Sequence, residues 1–272
     1  FIQEKEKFLL PHQMMVLEKK FMELSNQKIN KKKEGLFIIN LEKSYVNTEI
    51  LKSINFEVHR SEAVGLLGPN GAGKTTSFHI ITGLINSNKG KIIMDGIDIT
   101  NYPVHVRSRL GLGYLPQEPS VFRGLTVEEN LMCILEYTEP NENIRKSSLE
   151  ILLNDFSLTN RRSFNVMKLS GGLRRRVEIA RALCAKPNFI LLDEPFTGID
   201  PMQLNEIKKL INNLKKREIG ILITDHNVRE ALGIIDRAYI IHDGQVLMHG
   251  KPSEIIKNEL VKKFYLGKSF KI

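Results

Sequence analysis

A chain of 272 residues, 42% of them hydrophobic, can bury at least one large core, so general disorder is excluded. Forty Lys and Arg against 31 Asp and Glu give a formal charge of +9, attractive to a polyanion, an anionic membrane face or a phosphorylated ligand. Aromatics are few at 7%, tryptophan is absent, Cys133 and Cys184 are the only cysteines, and no apolar run is long enough to span a bilayer. These counts argue against a nucleic-acid partner, a disulfide-stapled secreted domain and a membrane-embedded chain, and favour a reducing, cytoplasmic setting in which other subunits supply any membrane contact.

Residues Phe1 to Glu34 are lysine-rich, with a weak amphipathic stretch from Met14 to Leu24, and read as an appended, partly flexible basic arm. The chain opens on Phe, as expected of a fragment or a processed product. From Leu36 the pattern changes to short apolar runs, Leu36 to Leu41, Ile54 to Val58 and Ala63 to Leu67, which predict strands. Asp95-Gly96 between Ile92-Ile93-Met94 and Ile97-Asp98-Ile99, and Asp243-Gly244 between Tyr239 to Ile241 and Val246 to Met248, predict two-residue hairpins. Between Thr126 and Met167 the period turns helical, predicting an inserted helical subdomain at about 118–168 within a domain of 35–272. Phe189 to Leu192 and Gly220 to Thr224 are continuous apolar runs around a helical stretch from Met202 to Lys216, the rhythm of parallel strands buried on both faces. The fold class is therefore an α/β core with antiparallel and helical additions.

Gly68-Pro69-Asn70-Gly71-Ala72-Gly73-Lys74-Thr75 follows the strand Ala63 to Leu67 and precedes a helical stretch, Thr76 to Thr82, which is the context a P-loop requires. Glycines let the backbone amides turn inward toward phosphate oxygens, and the helix start adds a field favourable to negative charge, about 0.3 to 2 kcal/mol. Lys74 is placed to bridge terminal phosphates, and the Thr75 hydroxyl to ligate Mg²⁺. Asp193 and Glu194 end the apolar run Phe189 to Leu192, at the strand edge where ligands of α/β sheets bind. Asp193 suits the metal, and Glu194 the polarising of an attacking water.

Leu169-Ser170-Gly171-Gly172, lying between the P-loop and Asp193 and followed by the helical stretch Arg174 to Cys184, makes the chain resemble the ATPase subunits of ABC transporters. The resemblance implies a P-loop NTPase of the ABC ATPase type, binding ATP and Mg²⁺ and working as a homodimer with two transmembrane permease subunits. It implies that Ser170, Gly171 and Gly172 bind the ATP held by the opposite subunit's P-loop. Gly68, Pro69, Asn70, Gly71, Ala72, Gly73, Lys74, Thr75 and Thr76 would bind the phosphates, and Tyr45 would stack on adenine. Gln117 would touch the metal or the water, His226 would act as the switch histidine beside Glu194, and Gly198 to Asp200 would form the loop by which one subunit senses the other. Tyr114 to Glu118, Arg174 to Ala182, Thr224 to Glu230 and Tyr265 to Phe270 resemble the ATPases of lipopolysaccharide export (Lpt) systems more closely still. That resemblance implies a subunit peripheral to the cytoplasmic face of the inner membrane, with Phe122, Arg123 and Leu125 on the permease-facing surface. Branched-chain amino acid importers share the same catalytic residues, and a soluble ABC ATPase or a nucleotide-dependent scaffold are further alternatives. Leu173 departs from the family, which places Gln or Glu there.

Overall fold

The computed structural model describes residues 34–46, 48–197 and 201–267. The stretch Met14 to Leu24, the loop Gly198 to Asp200, and Ser269 and Phe270 lie outside these residues. Ten strands are present among them: β1 (Leu36–Tyr45), β2 (Thr48–Val58), β3 (Ala63–Leu67), β4 (Lys89–Met94), β5 (Ile97–Asp98), β6 (Leu112–Leu115), β7 (Phe189–Asp193), β8 (Gly220–Thr224), β9 (Arg237–His242) and β10 (Gln245–Gly250).

Every residue of β3, β7 and β8 is buried. They form the centre of a six-stranded sheet ordered β10-β9-β3-β8-β7-β6, parallel except for the β9/β10 hairpin. The period of two sorts their side chains to two faces. Val64, Leu66, Phe189, Leu191 and Leu222 pack toward a four-stranded antiparallel sheet, β2-β1-β4-β5, and toward Phe78, Ile80 and Ile81 of the helix Lys74–Thr82. Ala63, Leu67, Ile190, Leu192, Ile221 and Ile223 pack toward helices on the other side. Each such side chain taken fully out of water contributes about 1.5 to 3 kcal/mol, so covering both faces is what stabilises a sheet with no polar face.

Both hairpins form as their turn residues dictate. Asp95 and Gly96 have φ of 48° and 82°, Asp243 and Gly244 48° and 70°, the left-handed pair of a tight type I′ turn. They bring Met94 opposite Ile97 and His242 opposite Gln245.

The helical stretch consists of Val127–Thr138 and Glu142–Asp155. The first begins in a complete capping box, in which Thr126 Oγ1 accepts from the Glu129 amide while Glu129 Oε2 accepts from the Thr126 amide. Leu131, Leu135, Leu149, Leu152 and Leu153 are buried in the same apolar cluster as Ile190 and Leu192, so helices and sheet share one core.

Some elements run beyond the sequence reading. β1 and β2 extend through polar residues such as Glu42, Lys43, Glu49 and Lys52 because those residues line partly or fully exposed faces and leave no apolar run. β6 is four residues long and interrupted by Gly113, too short for a period to show. Gly171 and Gly172 belong to the helix Gly171–Leu183, although glycine is a poor helix former, because Ser170 caps its start.

Candidate active site

The P-loop joins β3 to the helix Lys74–Thr82. A Cβ at Gly68 would lie 2.1 Å from the Ile241 carbonyl oxygen, and one at Gly73, whose φ is 103°, 2.5 Å from Leu51 Cδ2. Only glycine lets the loop press this closely on β9 and β2. Lys74 is 8% exposed, and its ammonium donates to the carbonyl oxygens of Gly68 at 2.7 Å and Pro69 at 2.9 Å. Burial lowers its pKa, and the charges of Glu194, Asp193 and Asp225 act in the opposite sense without cancelling the shift. Thr75 is exposed at the helix start. The far end of the helix is closed by Gly83 in the left-handed conformation and by the buried Arg107, which donates to the carbonyls of Ile80, Ile81, Thr100 and Tyr102.

At the end of β7, Asp193 is 4% exposed. Thr224 Oγ1 donates to its Oδ1 at 2.5 Å and the Tyr114 hydroxyl lies 3.5 Å from its Oδ2. Burial, with the Asp193 charge second, pushes the Tyr114 phenol up to about 12, which keeps it a proton donor at this carboxylate. Glu194 has a φ of 46°, and its amide donates to the Thr224 carbonyl at 2.9 Å, so the chain turns sharply as it leaves the strand. Three groups converge on Glu194 Oε2: Gln117 Nε2 at 2.8 Å, His226 Nδ1 at 3.1 Å and Thr197 Oγ1 at 3.1 Å. Asp225, fully buried, accepts from the amides of Phe196 at 3.1 Å and Asn227 at 2.7 Å, tying the loops after β7 and β8 together. Its burial raises its pKa.

The structure thus brings Gln117 and His226 onto Glu194, beside Asp193, and the charge of these two carboxylates reaches Lys74. Ser170 and Gly171 are exposed at the start of the helix Gly171–Leu183, with Ser170 Oγ accepting from the Leu173 amide at 3.4 Å. Among the described residues no hydrogen bond or ion pair joins Ser170, Gly171 or Gly172 to residues 68–76. Leu173 packs on the apolar cluster beneath the helices. Tyr45 stands at the end of β1, 48% exposed, with Lys43 Nζ 4.9 Å from its ring centroid.

Phe122 and Arg123 are exposed and Leu125 is half-buried, after β6. Buried Asn130 grips both the amide and the carbonyl of Phe122, and the Arg181 guanidinium lies 4.8 Å from the Phe122 ring. Both line a groove of about 380 Å³ with Tyr114, Ile134 and Glu178. Sequence reasoning left several contributors without a role: Tyr114, Thr197, Thr224, Asp225, Arg175 and Glu178. Asp225 carried a signal, an acid after an apolar strand like Asp193; the others act through contacts that no motif spacing encodes.

Among the described residues no cluster of three or more His, Cys, Asp or Glu could hold a metal by itself. The donors at hand, a carboxylate, a hydroxyl and an amide oxygen, are the hard ligands magnesium accepts when phosphates and waters complete its shell.

The fold and this arrangement define a P-loop ATPase. Residues 51–197 match the ABC transporter family model. The chain is 54% identical to a probable ABC transporter ATP-binding protein of Azorhizobium caulinodans over 88% of its own length and 85% of the relative's. It is 49% identical to the lipopolysaccharide export system ATP-binding protein LptB of Haemophilus influenzae, covering 86% and 97% of the two chains, and 47% identical to LptB of Escherichia coli with the same coverage. Among solved structures, an ATP-binding cassette of an ABC transporter in its ADP conformation superposes with a TM-score of 0.77 at 27% identity, covering 86% and 99%. A cassette solved as a post-hydrolysis dimer with ADP and phosphate gives 0.70 at 25%, covering 80% and 98%. The chain belongs to the ABC transporter family, as one of its ATP-hydrolysing subunits.

Proposed function

We propose that this ATPase powers the extraction and export of lipopolysaccharide from the inner membrane, working as a head-to-tail homodimer beneath two permease subunits. The reading rests on the relatives named LptB, which match nearly their full length at about half identity. Among the described residues no helix is long and apolar enough to cross a membrane, in keeping with attachment to the cytoplasmic face through partners.

In this reading residues 68–76 wrap the phosphates of one ATP, Lys74 neutralises the terminal ones and Tyr45 stacks on the adenine. Glu194 orients and polarises the attacking water, with Gln117 and His226 holding its carboxylate in place through the contacts at Oε2. Thr75, Asp193 and Gln117 would hold Mg²⁺, which supplies charge neutralisation at the transferring phosphate when bound. The exposed Ser170 and Gly171 bind the ATP of the opposite copy together with Gly172, so closure of the pair gains free energy only with nucleotide present.

The observation that carries the hydrolytic part of this reading is the convergence of three side chains on Oε2 of Glu194. Replacing Glu194 by Gln is expected to lower ATP turnover at least about hundredfold, the scale of a lost general base, while an ATP-bound dimer accumulates on size-exclusion chromatography. Undiminished turnover would overturn the role of Glu194. The permease surface is tested separately: Phe122→Ala is expected to leave ATP binding by the isolated subunit intact and to weaken co-purification with the membrane subunits. Identifying those subunits, and the lipid that stimulates their ATPase activity, checks the cargo.

A further inference from the structure

One face of the helix Gly171–Leu183 carries Arg175, Glu178 and Arg181, a turn apart. Arg175 and Glu178 are 8% and 3% exposed at their side chains and form an ion pair of 3.0 Å between Nη1 and Oε2. Neither partner is spent on the other alone. Arg175 Nη1 also donates to the Pro116 carbonyl at 2.9 Å, and its Nη2 donates to the backbone carbonyl of Asp193 at 3.2 Å. Glu178 Oε1 accepts from the Ser120 amide at 2.8 Å. Arg181 Nη2 donates to Ser120 Oγ at 2.8 Å.

The pair therefore holds the segment 116–120 at both ends and fastens it to the strand end that carries Asp193. Gln117, whose side chain reaches Glu194, lies inside that segment, and Phe122, on the groove, lies two residues beyond it. A buried ion pair is a poor choice for stability alone, since an apolar pair of the same volume usually does as well or better. What an apolar pair could not do is grip two carbonyls and an amide at fixed points.

We infer that Arg175 and Glu178 are positioning residues for hydrolysis, a buried clamp that sets Gln117 against Glu194 and links the groove at Phe122 to Asp193. The inference rests on the roles proposed for Gln117, Asp193 and Glu194. Removing one charge alone would leave the other buried without a partner and endanger folding, so the test uses paired replacements.

Arg175→Met with Glu178→Leu removes every clasp made by the pair at about constant volume and leaves only the Arg181 bond to Ser120 Oγ. Arg175→Met with Glu178→Gln keeps an acceptor for the Ser120 amide and loses the other clasps. Each is assayed for Mg-ATP turnover, for binding of a fluorescent ATP analogue and for thermal unfolding. The first variant is expected to lose about tenfold in kcat, as misplacement of a reacting group does, with analogue affinity within about twofold of the parent. The second is expected to fall between them. Folded variants that both keep parental kcat would overturn the clamp. If neither variant folds, amide hydrogen exchange on the parent decides: Ser120 should exchange as slowly as the middle of the helix Gly171–Leu183, and exchange at the rate of an open loop overturns the proposal. Failure of the underlying reading looks different, because Glu194→Gln would then retain turnover.

Discussion

The P-loop half of the proposed site and the half at Ser170 to Gly172 differ in how much of their polar surface the chain satisfies by itself. Lys74 is buried with two carbonyl partners, Asp193 accepts a hydrogen bond from the end of β8, and Glu194 and Asp225 hold contacts with the loops after β8 and β7. Ser170 and Gly171 are exposed, and the helix start they form is capped on one side only, by Ser170 Oγ. Thr126 shows what a complete cap looks like in the same protein: Glu129 answers it with a bond to its amide, whereas Leu173, three residues after Ser170, has nothing to offer. The buried half is held by the chain's own groups, and the exposed half is the one that, in the function proposed above, a second copy completes.

That contrast can be pressed from its strong end to its weak one. Lys74→Ala should do most damage, because it removes the only side chain in the P-loop that carries positive charge to the phosphates. Nucleotide affinity measured by calorimetry is expected to fall at least about hundredfold, as for the loss of a charge-assisted contact in a dry site, and near-parental affinity would contradict the assignment of the loop. At the weak end, Leu173→Gln restores the reciprocal acceptor for the Ser170 amide. Since a cap contributes about 1 kcal/mol, turnover at limiting ATP is expected to rise by no more than about fivefold. A fall in turnover would instead mean that the apolar seat of Leu173 against the helical cluster matters more than the missing bond.

The chain made its fold legible wherever local chemistry is sufficient. β3 and β8 run between the residues their apolar runs predict, and both Asp-Gly turns form hairpins, because burial on two faces and left-handed backbone angles leave those segments no alternative. Of the proposed site, Lys74, Asp193 and Glu194 stand at the helix and strand ends where their motifs put them, whereas His226 entered through the family resemblance alone. What spacing could not announce is the layer behind them. Arg107 closes the P-loop helix from residues 100–107, and Arg175 reaches Pro116 and Asp193 from far along the chain; such contacts follow from packing of distant elements, and an arginine in sequence reads as a solvated charge. Leu173 was visible as a departure, but its consequence needed the cap geometry around Ser170.

The core that the helices Val127–Thr138 and Glu142–Asp155 share with the central sheet bears on how this subunit can move. Two bodies with separate interiors can swing apart on a hinge, whereas side chains interdigitated across one interior would have to be torn into water for that. Any reorientation of these helices that keeps this interior dry has to preserve their packing on the sheet, which favours sliding along the packed faces over swinging away from them.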